Sequence, residues 1–543
     1  MMPLRVLART MAAACGMLAG CAQVPVGPDY VAPAALTAEQ SASAGPFLSG
    51  GAATSDATMP AHWWRLFDDP QLDDLITQAL AHNTDLRQAL ANFERAAAIG
   101  SEAHGSEKPS VVIQGGPGFG HASGLSVLQQ DQAPPSRANY SAGVAVSYQL
   151  DLVGQLRRAI DAAEADAGAA RAAVDVVRVS VAGGTAQAYA SACSAGLQLR
   201  VAQASVRLQE EALALAQRLQ RAGKASAMDA ARARAQLEAL HAAISPLETQ
   251  RQQALYRLAA LTGAPPRHFP HAVRQCEQPP RVAGLLPVGD GAALLGRRPD
   301  VRQAERSLAA ATARIGVATG DLYPKVTLGL TSGSSGFLGR FANRETFSYS
   351  VGPLISWTVP NTGAARARIS QAEATSRGAL ARFDGTVLNA LREVETALDA
   401  YARELDRHAA LVAARDQSLI VAEQSRALLV SGKIGQLDVL DAQRTLASHE
   451  ASLAVSDAQI AQYQIAVFMA LGGGWEQAAD NSPTSRPGPA ARQDLKNKPT
   501  RRASVRHPEF RNGAWNRARV TIPASMLENS SAVVSAGCGR RWS

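Results

Sequence analysis

"YSAGVAVSYQLDLVGQLRRAIDAAEADAGAARAA", Tyr140 to Ala173, changes its period once, at the tight turn Asp151–Gly154. Before the turn, Tyr140, Ala142, Val144, Val146, Tyr148 and Leu150 fall on one face, and Ser141, Gly143, Ala145, Ser147 and Gln149 on the other. That alternation is a strand. After Gly154 there is no proline through Gln220, and Ala, Arg, Gln and Leu dominate. At 1.5 Å per residue such a helix runs about 100 Å. No compact core needs a rod of that length, whereas a tube of coiled helices does. The abundant alanine lets helices approach closely at no cost in helix propensity.

The same plan recurs downstream. "FSYSVGPLISWTV", Phe347 to Val359, alternates in the same way and is followed by the turn "PNTG" and a second long helical stretch. Tyr140-Ser141 lies over Tyr349-Ser350, Gly154 over Gly363, Arg157 over Arg366, and Ala163-Glu164-Ala165 over Ala372-Glu373-Ala374. The register continues without a gap through "AGKASAMDAARARAQL" (Ala222–Leu237) over "SGKIGQLDVLDAQRTL" (Ser431–Leu446), ending at Gly263 and Gly472. Upstream, "TDLRQA" from Thr84 lies over "PDVRQA" from Pro299, with Gly105 on Gly320, Pro109 on Pro324 and Val111 on Val326. Glycine, proline and tyrosine landmarks held in register mark an internal duplication. Residues 62–263 form the first structural repeat, with strands near 109–120 and 139–151. Residues 297–474 form the second, with strands near 324–333 and 347–359. Residues 264–296 connect them.

Each repeat reads as a helix (roughly 64–104, then 297–320), two strands, a long helix, a break at Gly223 or Gly432, and a returning helix (about 226–262 in the first half). The returning helix is about 55 Å long and the leading one about 60 Å, so stacked end to end they match the long rod. Strands of about ten residues with aromatics on the apolar face fit a transmembrane barrel. No apolar run past Cys21 reaches 18 residues, so a membrane crossing has to be a closed barrel. Four strands per chain cannot close one, because the smallest outer-membrane barrels have eight. Either two, three or more copies share one barrel, or these segments are not barrel strands, since strict alternation also suits a sandwich.

The first twenty residues read as processing rather than structure: Arg5 and Arg9, an apolar run, then "LAGC" ending at Cys21. This resembles a bacterial lipobox, which makes 1–20 a lipoprotein signal peptide, Cys21 the lipidated residue and 21–61 a lipid-anchored linker. Ala22 in place of an aspartate points to the outer membrane. Among the remaining thiols, Cys193 on an Ala-rich helix reads as a small core residue. An export signal permits a disulfide, but three thiols are no framework, and pairing of Cys193 with Cys276 stays open. From Trp475 onward there are twelve Lys/Arg against five Asp/Glu, nearly the whole net charge of +8. Residues 475–543 lack periodicity and are rich in Pro, Ser, Asn and Arg, so a disordered basic tail is expected, with no nucleic-acid role.

"CAQVPVGPDYVAP", "WWRLFDDPQLDDLITQALAHNTDLRQA" from Trp63, "GRRPDVRQAE" from Gly296 and "GQLDVLDAQRTL" from Gly435 together resemble the outer-membrane factors of tripartite efflux pumps. The type is the OprM/NodT-like lipoprotein branch of the TolC superfamily, and the resemblance covers about residues 18–474. It implies a mostly α chain with a small β part. It implies a homotrimer with a twelve-stranded barrel, four strands per chain, continued by a periplasmic α-helical barrel. The implied partners are a periplasmic adaptor protein, an inner-membrane transporter of the resistance-nodulation-division class, and outer-membrane lipid. Gly223 and Gly432 then become helix–turn–helix tips farthest from the strands. By resemblance Asp438 and Asp441, with Asp229 as the first-half counterpart of Asp438, ring a periplasmic gate. Three like charges in a narrow pore attract cations and resist tighter packing. Asp438 also suits the first turn of the returning helix. The tyrosine and arginine that latch some members are Leu429 and Ile434 here. Gly223, Lys224, Gly432 and Lys433 are candidates for adaptor contact.

Other classes leave weaker traces. There is no His-Glu-x-x-His, phosphate-binding loop or Gly-x-Ser-x-Gly, and the lone pair His268 and His271 in a Pro-flanked connector is no metal site. No enzyme, metal or cofactor is expected. A conduit for ABC-transporter-driven secretion shares the same architecture, and a coiled-coil lipoprotein without a pore shares the helices. The lipobox and the "VGPDY" lead favour efflux over both.

Overall fold

The computed structural model describes residues 25–33, 47–49, 51–121, 135–357, 359 and 362–474. The expected signal peptide, Cys21, much of the linker and the basic tail lie outside the described residues. The chain runs β1 (Thr54–Ser55), a 3-10 turn Trp63–Phe67, α1 (Pro70–His82), α2 (Thr84–Gly105), β2 (Ser110–Gly120), β3 (Arg137–Leu150), α3 (Gln155–Arg221) and α4 (Ala227–Leu261). After a connector holding β4 (Leu286–Pro287) come α5 (Gly291–Arg297), α6 (Pro299–Gly320), β5 (Lys325–Phe337), β6 (Phe347–Ser356), α7 (Thr362–Val430) and α8 (Gln436–Ala470).

The two rods are α3, of 67 residues, and α7, of 69. Along α3 lie α2, α4, α6 and α8; along α7 lie α6 and α8. One expectation is corrected: the leading helix is not continuous over 64–104. Asp69 caps α1 by accepting from Gln71 N (3.0 Å) and Leu72 N (3.2 Å), with Pro70 pre-set at the first helical position. Asn83 then caps α2, accepting from Asp85 N at 2.9 Å and Leu86 N at 3.1 Å. Asx side chains compete with helix continuation because they satisfy these amides themselves. Pro246 lies inside α4 without ending it.

The duplication extends to side-chain contacts that share no residue type. Asn83 and Arg298 hold the same place, each entering the helix that leads to a strand pair. Asn83 Nδ2 donates to Leu261 O at 3.1 Å and Arg298 Nη1 to Ala470 O at 2.6 Å, so each binds the last helical carbonyl of its own returning helix. Gly263 and Gly472, at φ 73° and 70°, follow those carbonyls. A Cβ on Gly263 would stand 2.6 Å from His82 O, and one on Gly472 would stand 2.8 Å from Arg298 Cγ. Both positions therefore require glycine for conformation and for room. Asp300 and Glu393 hold the Arg298 guanidinium at 2.6 Å and 2.9 Å.

The main core is a belt midway along the rods. Trp63 is fully buried and stacks on Phe468 with ring centroids 5.0 Å apart. Around them pack Leu72 and Ile76 of α1, Tyr189 and Cys193 of α3, Leu255 and Leu258 of α4, Leu398 of α7, and Ile460 and Ile465 of α8. The connector closes this belt. Gln464, fully buried, accepts from Val282 N at 3.0 Å and donates to Val282 O and Tyr401 Oη at 3.1 Å each. It supplies an extended segment with the pairing that a neighbouring strand would give. β4 pairs in parallel with β1. Cys193 is corrected from an inert core residue: it is disulfide-bonded to Cys276 of the connector. The sequence separation is 83 residues, for which loop closure removes the equivalent of about 4.5 kcal/mol of unfolded-chain entropy in the chain-entropy account.

The lead segment 25–33 lies along the strand end of the rods. Val26 N donates to Val153 O at 2.9 Å, and the buried Arg158 binds Asp29 at 2.6 Å. Tyr30 Oη donates to the buried Glu305 carboxylate.

Candidate functional site

Two surfaces carry the chemistry: the sheet at one end of the rods and the helical turns at the other. The sheet has four strands in the order β2-β3-β5-β6, antiparallel throughout. Cross-strand partners share a face, so the register sorts the side chains. Val111↔Val146↔Leu330↔Val351 form one row, Ile113↔Val144↔Ser332↔Tyr349 the next, and Leu150↔Val326↔Ile355 and Tyr148↔Leu328↔Pro353 those nearer the rods. The opposite face reads Gln114↔Gly143↔Gly333↔Ser348 and Gly116↔Ser141↔Ser335. One side is apolar and the other small and polar, as when one face meets hydrocarbon and the other water. Among the described residues β2 and β6 are edges with unpaired backbone, and the β5–β6 loop folds onto the apolar face. There Ala342 N donates to Tyr140 Oη at 2.9 Å, and Phe341 lies against the Tyr140 ring at 4.7 Å. That covers Ser334, a hydroxyl on the apolar face, which also bonds Tyr140 Oη at 2.6 Å.

At the far end, the turns after α3 and α7 are built alike. Lys224 N donates to Leu219 O (2.9 Å) and Gly223 N to Gln220 O (3.0 Å). Lys433 N donates to Leu428 O (3.0 Å) and Gly432 N to Leu429 O (2.9 Å). Gly223 and Gly432 sit at φ 71° and 70°. This helix-ending motif uses glycine in the left-handed region to satisfy the last carbonyls. Gly223, Lys224, Gly432 and Lys433 are all exposed. So are Met228 and Leu437, one apolar residue at the same place in each copy, at 59% and 56%.

The three aspartates differ in setting. Asp229 accepts from Ser226 N at 3.1 Å and from the Ser226 hydroxyl at 2.7 Å, and its own amide donates to that hydroxyl at 3.2 Å, a reciprocal cap. The Ser226 hydroxyl and amide hold its carboxyl below the ordinary range, and Arg232 stands 3.8 Å away. Asp438 accepts from Gly435 N at 3.0 Å, the backbone half of the same cap. Asp441, three residues on and on the same helix face, is exposed. Among the described residues no cation pairs with Asp438 or Asp441 within 4.0 Å. The place of Arg232 is taken by Asp441, so the first tip offsets its carboxylate and the second adds another. The turn aspartates thus have a capping task visible in one chain. Leu429 is half-buried beneath the turn and its carbonyl takes the Gly432 amide; Ile434 is half-buried beside Gly435.

Cys21 lies outside the described residues. No helix among the described residues is long and apolar enough to cross a membrane. Reading the sequence missed Gln464, Arg298 with Asn83, and the Cys193–Cys276 bond. The repeat register could have pointed to the Asn83/Arg298 pair, since both stand at one offset, but their differing chemistry hid it.

Against known proteins, the family profile described as outer membrane efflux protein matches residues 75–264 and 292–473. Nodulation protein T of Rhizobium leguminosarum bv. trifolii is 30% identical over 468 residues, covering 85% of this chain and 96% of that protein. The pyoverdine export outer membrane protein OpmQ of Pseudomonas putida is 30% identical over 449 residues, covering 80% and 92%. Among solved structures, the outer-membrane channel OprN superposes with a TM-score of 0.77 at 31% identity, covering 83% of this chain and 99% of that one.

Proposed function

The chain belongs to the outer membrane efflux protein family, and on that premise we propose that three copies close one twelve-stranded barrel and form the exit duct of a tripartite pump. It is an outer-membrane efflux component, mostly helical, with duplicated halves. The observation that carries the finer reading is the two-faced four-stranded sheet with open edges. An apolar face cannot stay in water, and a bare edge cannot stay in lipid, where each unpaired backbone group costs several kcal/mol (about 2–7). Pairing β6 of one copy with β2 of the next removes both problems, and the small polar face then lines the passage.

The rods continue the duct into the periplasm. Cargo passes from a periplasmic adaptor and an inner-membrane, proton-driven transporter of the resistance-nodulation-division class. The tip residues Gly223, Lys224, Gly432 and Lys433, with Met228 and Leu437, meet the adaptor; their exposure and their repetition in both halves support this. Asp438 and Asp441 ring the periplasmic aperture, and Asp229 caps its helix in the first tip. Cys21 carries the lipid anchor. The segment 25–33, bound beside Gly154 where strands give way to rod, sets that anchor next to the barrel base. The chain conducts rather than catalyses.

Deletion of the gene tests this reading. The expected result is greater susceptibility to dyes, detergents or antibiotics, restored by the full chain. Unchanged tolerance across all three classes, together with no conductance from the purified chain in planar bilayers, overturns it.

A further inference from the structure

Cys193 and Cys276 form a covalent site that the duct itself does not explain. Cys193 is fully buried on α3, and Cys276 lies over it from the connector. The surface of α3 is shaped to receive that segment. One turn after Cys193, a Cβ on Gly196 would collide with the Cys276 carbonyl oxygen, so the connector backbone lies flat on the helix. One turn before it, Tyr189 Oη donates to Asp69 at 2.7 Å and stands 3.9 Å from the Cys276 sulfur. Tyr189, Cys193 and Gly196 thus gather the entry of α1 and the connector on one stripe. In the second repeat the place of Cys193 is taken by Ala402.

The connector has little regular structure of its own. Between α4 and α5 it contains two 3-10 turns, Pro266–His268 and His271–Gln275, and the two-residue β4. Among the described residues its other anchors include the buried Val273, the Gln464 contact at Val282, the pairing of Leu286 with Thr54, and the ion pairs Arg200–Glu277 and Arg281–Asp457. The disulfide ties this segment to a rod and closes a loop that contains the first tip and all of α4.

We propose that Cys193–Cys276 is an oxidative maturation site, closed after export by exchange with a periplasmic dithiol–disulfide oxidase, and that closure sets the connector for assembly. Cys276, the more accessible thiol, loses its proton and attacks the disulfide of the oxidase. One sulfur–sulfur bond of the oxidase breaks, a mixed disulfide forms, and one oxidase thiolate leaves. Deprotonated Cys193 then attacks the Cys276 sulfur, which forms the internal bond and releases the second oxidase thiolate. The chain gives up two protons and two electrons, and the oxidase ends as a dithiol. Because Cys193 has no exposure once the belt is packed, exchange precedes closure of the core. The inference requires an exported chain but not an efflux duct, so its test reads thiols and assembly rather than drug tolerance.

The full chain carrying Cys538→Ser, which removes the tail thiol, is expressed in hosts with and without the oxidase. Maleimide labelling of the denatured chain, and trypsin resistance and outer-membrane amount of the folded chain, are then measured. With the oxidase, neither Cys193 nor Cys276 is expected to label until a reductant is added, after which both do. Without it, both label directly, trypsin cuts at Arg267, Arg274 or Arg281, and the amount in the membrane falls. A Cys193→Ala/Cys276→Ala variant should show the lower amount and the same cuts in both hosts. Labelling of both thiols in the oxidase-containing host without reductant overturns the proposal. So does wild-type chain whose level and trypsin resistance ignore the oxidase, or a double variant equal to wild type in both.

Discussion

Asp229 and Asp438 stand at one place in two copies of a motif, with different neighbours. Hydrogen bonds from Ser226 lower the pKa of Asp229 in the folded chain below its ordinary value of 3.8. A depressed folded value means the stabilisation is present above about pH 4 and is withdrawn as the pH falls through the folded value. The protection of the Ser226 and Asp229 amides, their exchange relative to the intrinsic rate at the same pH, is therefore expected to fall below that point. In Ser226→Ala, which removes the hydroxyl, the loss of protection should begin at higher pH; an unchanged profile would show that the hydroxyl does not hold the carboxylate. Asp438 lacks such a hydroxyl because its partner is Gly435, and Asp441 adds a second carboxylate where the first tip has Arg232. If Asp438 and Asp441 ring the aperture, Asp438→Asn and Asp441→Asn are each expected to lower single-channel cation conductance, because the carboxylates concentrate cations and resist tighter packing. If neither changes it, these residues do not line the aperture. The repeat made these positions legible in the sequence. It could not show their electrostatic settings, which depend on the residue three places along the turn.

Elements were legible where periodicity is long and lost where a single side chain decides. The rods declare themselves through uninterrupted Ala-rich sequence, and the strands through alternation. The break at Asn83 was not read, because the apolar spacing continues across it; only the cap geometry, with both amides taken by the Asn83 side chain, divides α1 from α2. Pro246 shows the converse, a strong breaker that α4 accommodates on an exposed face. The connector was opaque for another reason: its position is set by contacts far away in sequence. Gln464 is the clearest case, lying 182 residues from Val282. Replacing Gln464 by Leu leaves the buried amide and carbonyl of Val282 without partners. A loss of about 2–6 kcal/mol is expected, at 1–3 kcal/mol for each orphaned group. Denaturant unfolding of the purified chain measures it, and a loss below about 0.5 kcal/mol would mean that water or another side chain replaces the amide.

For the whole molecule, everything follows from a sheet that is complete in register but open at both edges. Large apolar side chains remain exposed across it, including Val351 at 72% and Ile113 at 80%. Such a surface belongs to an interface with lipid or with another copy. The strand count in the sequence demanded sharing without fixing the number of copies, because barrel size is a property of the assembly. The most direct measurement is the mass of the purified full-length protein in mild detergent, by native mass spectrometry, with the β content followed in the same sample. The predicted result is a single species close to three times the mass of the mature chain, itself at most 56.7 kDa. A stable monomer or dimer that retains the four strands would contradict the shared barrel.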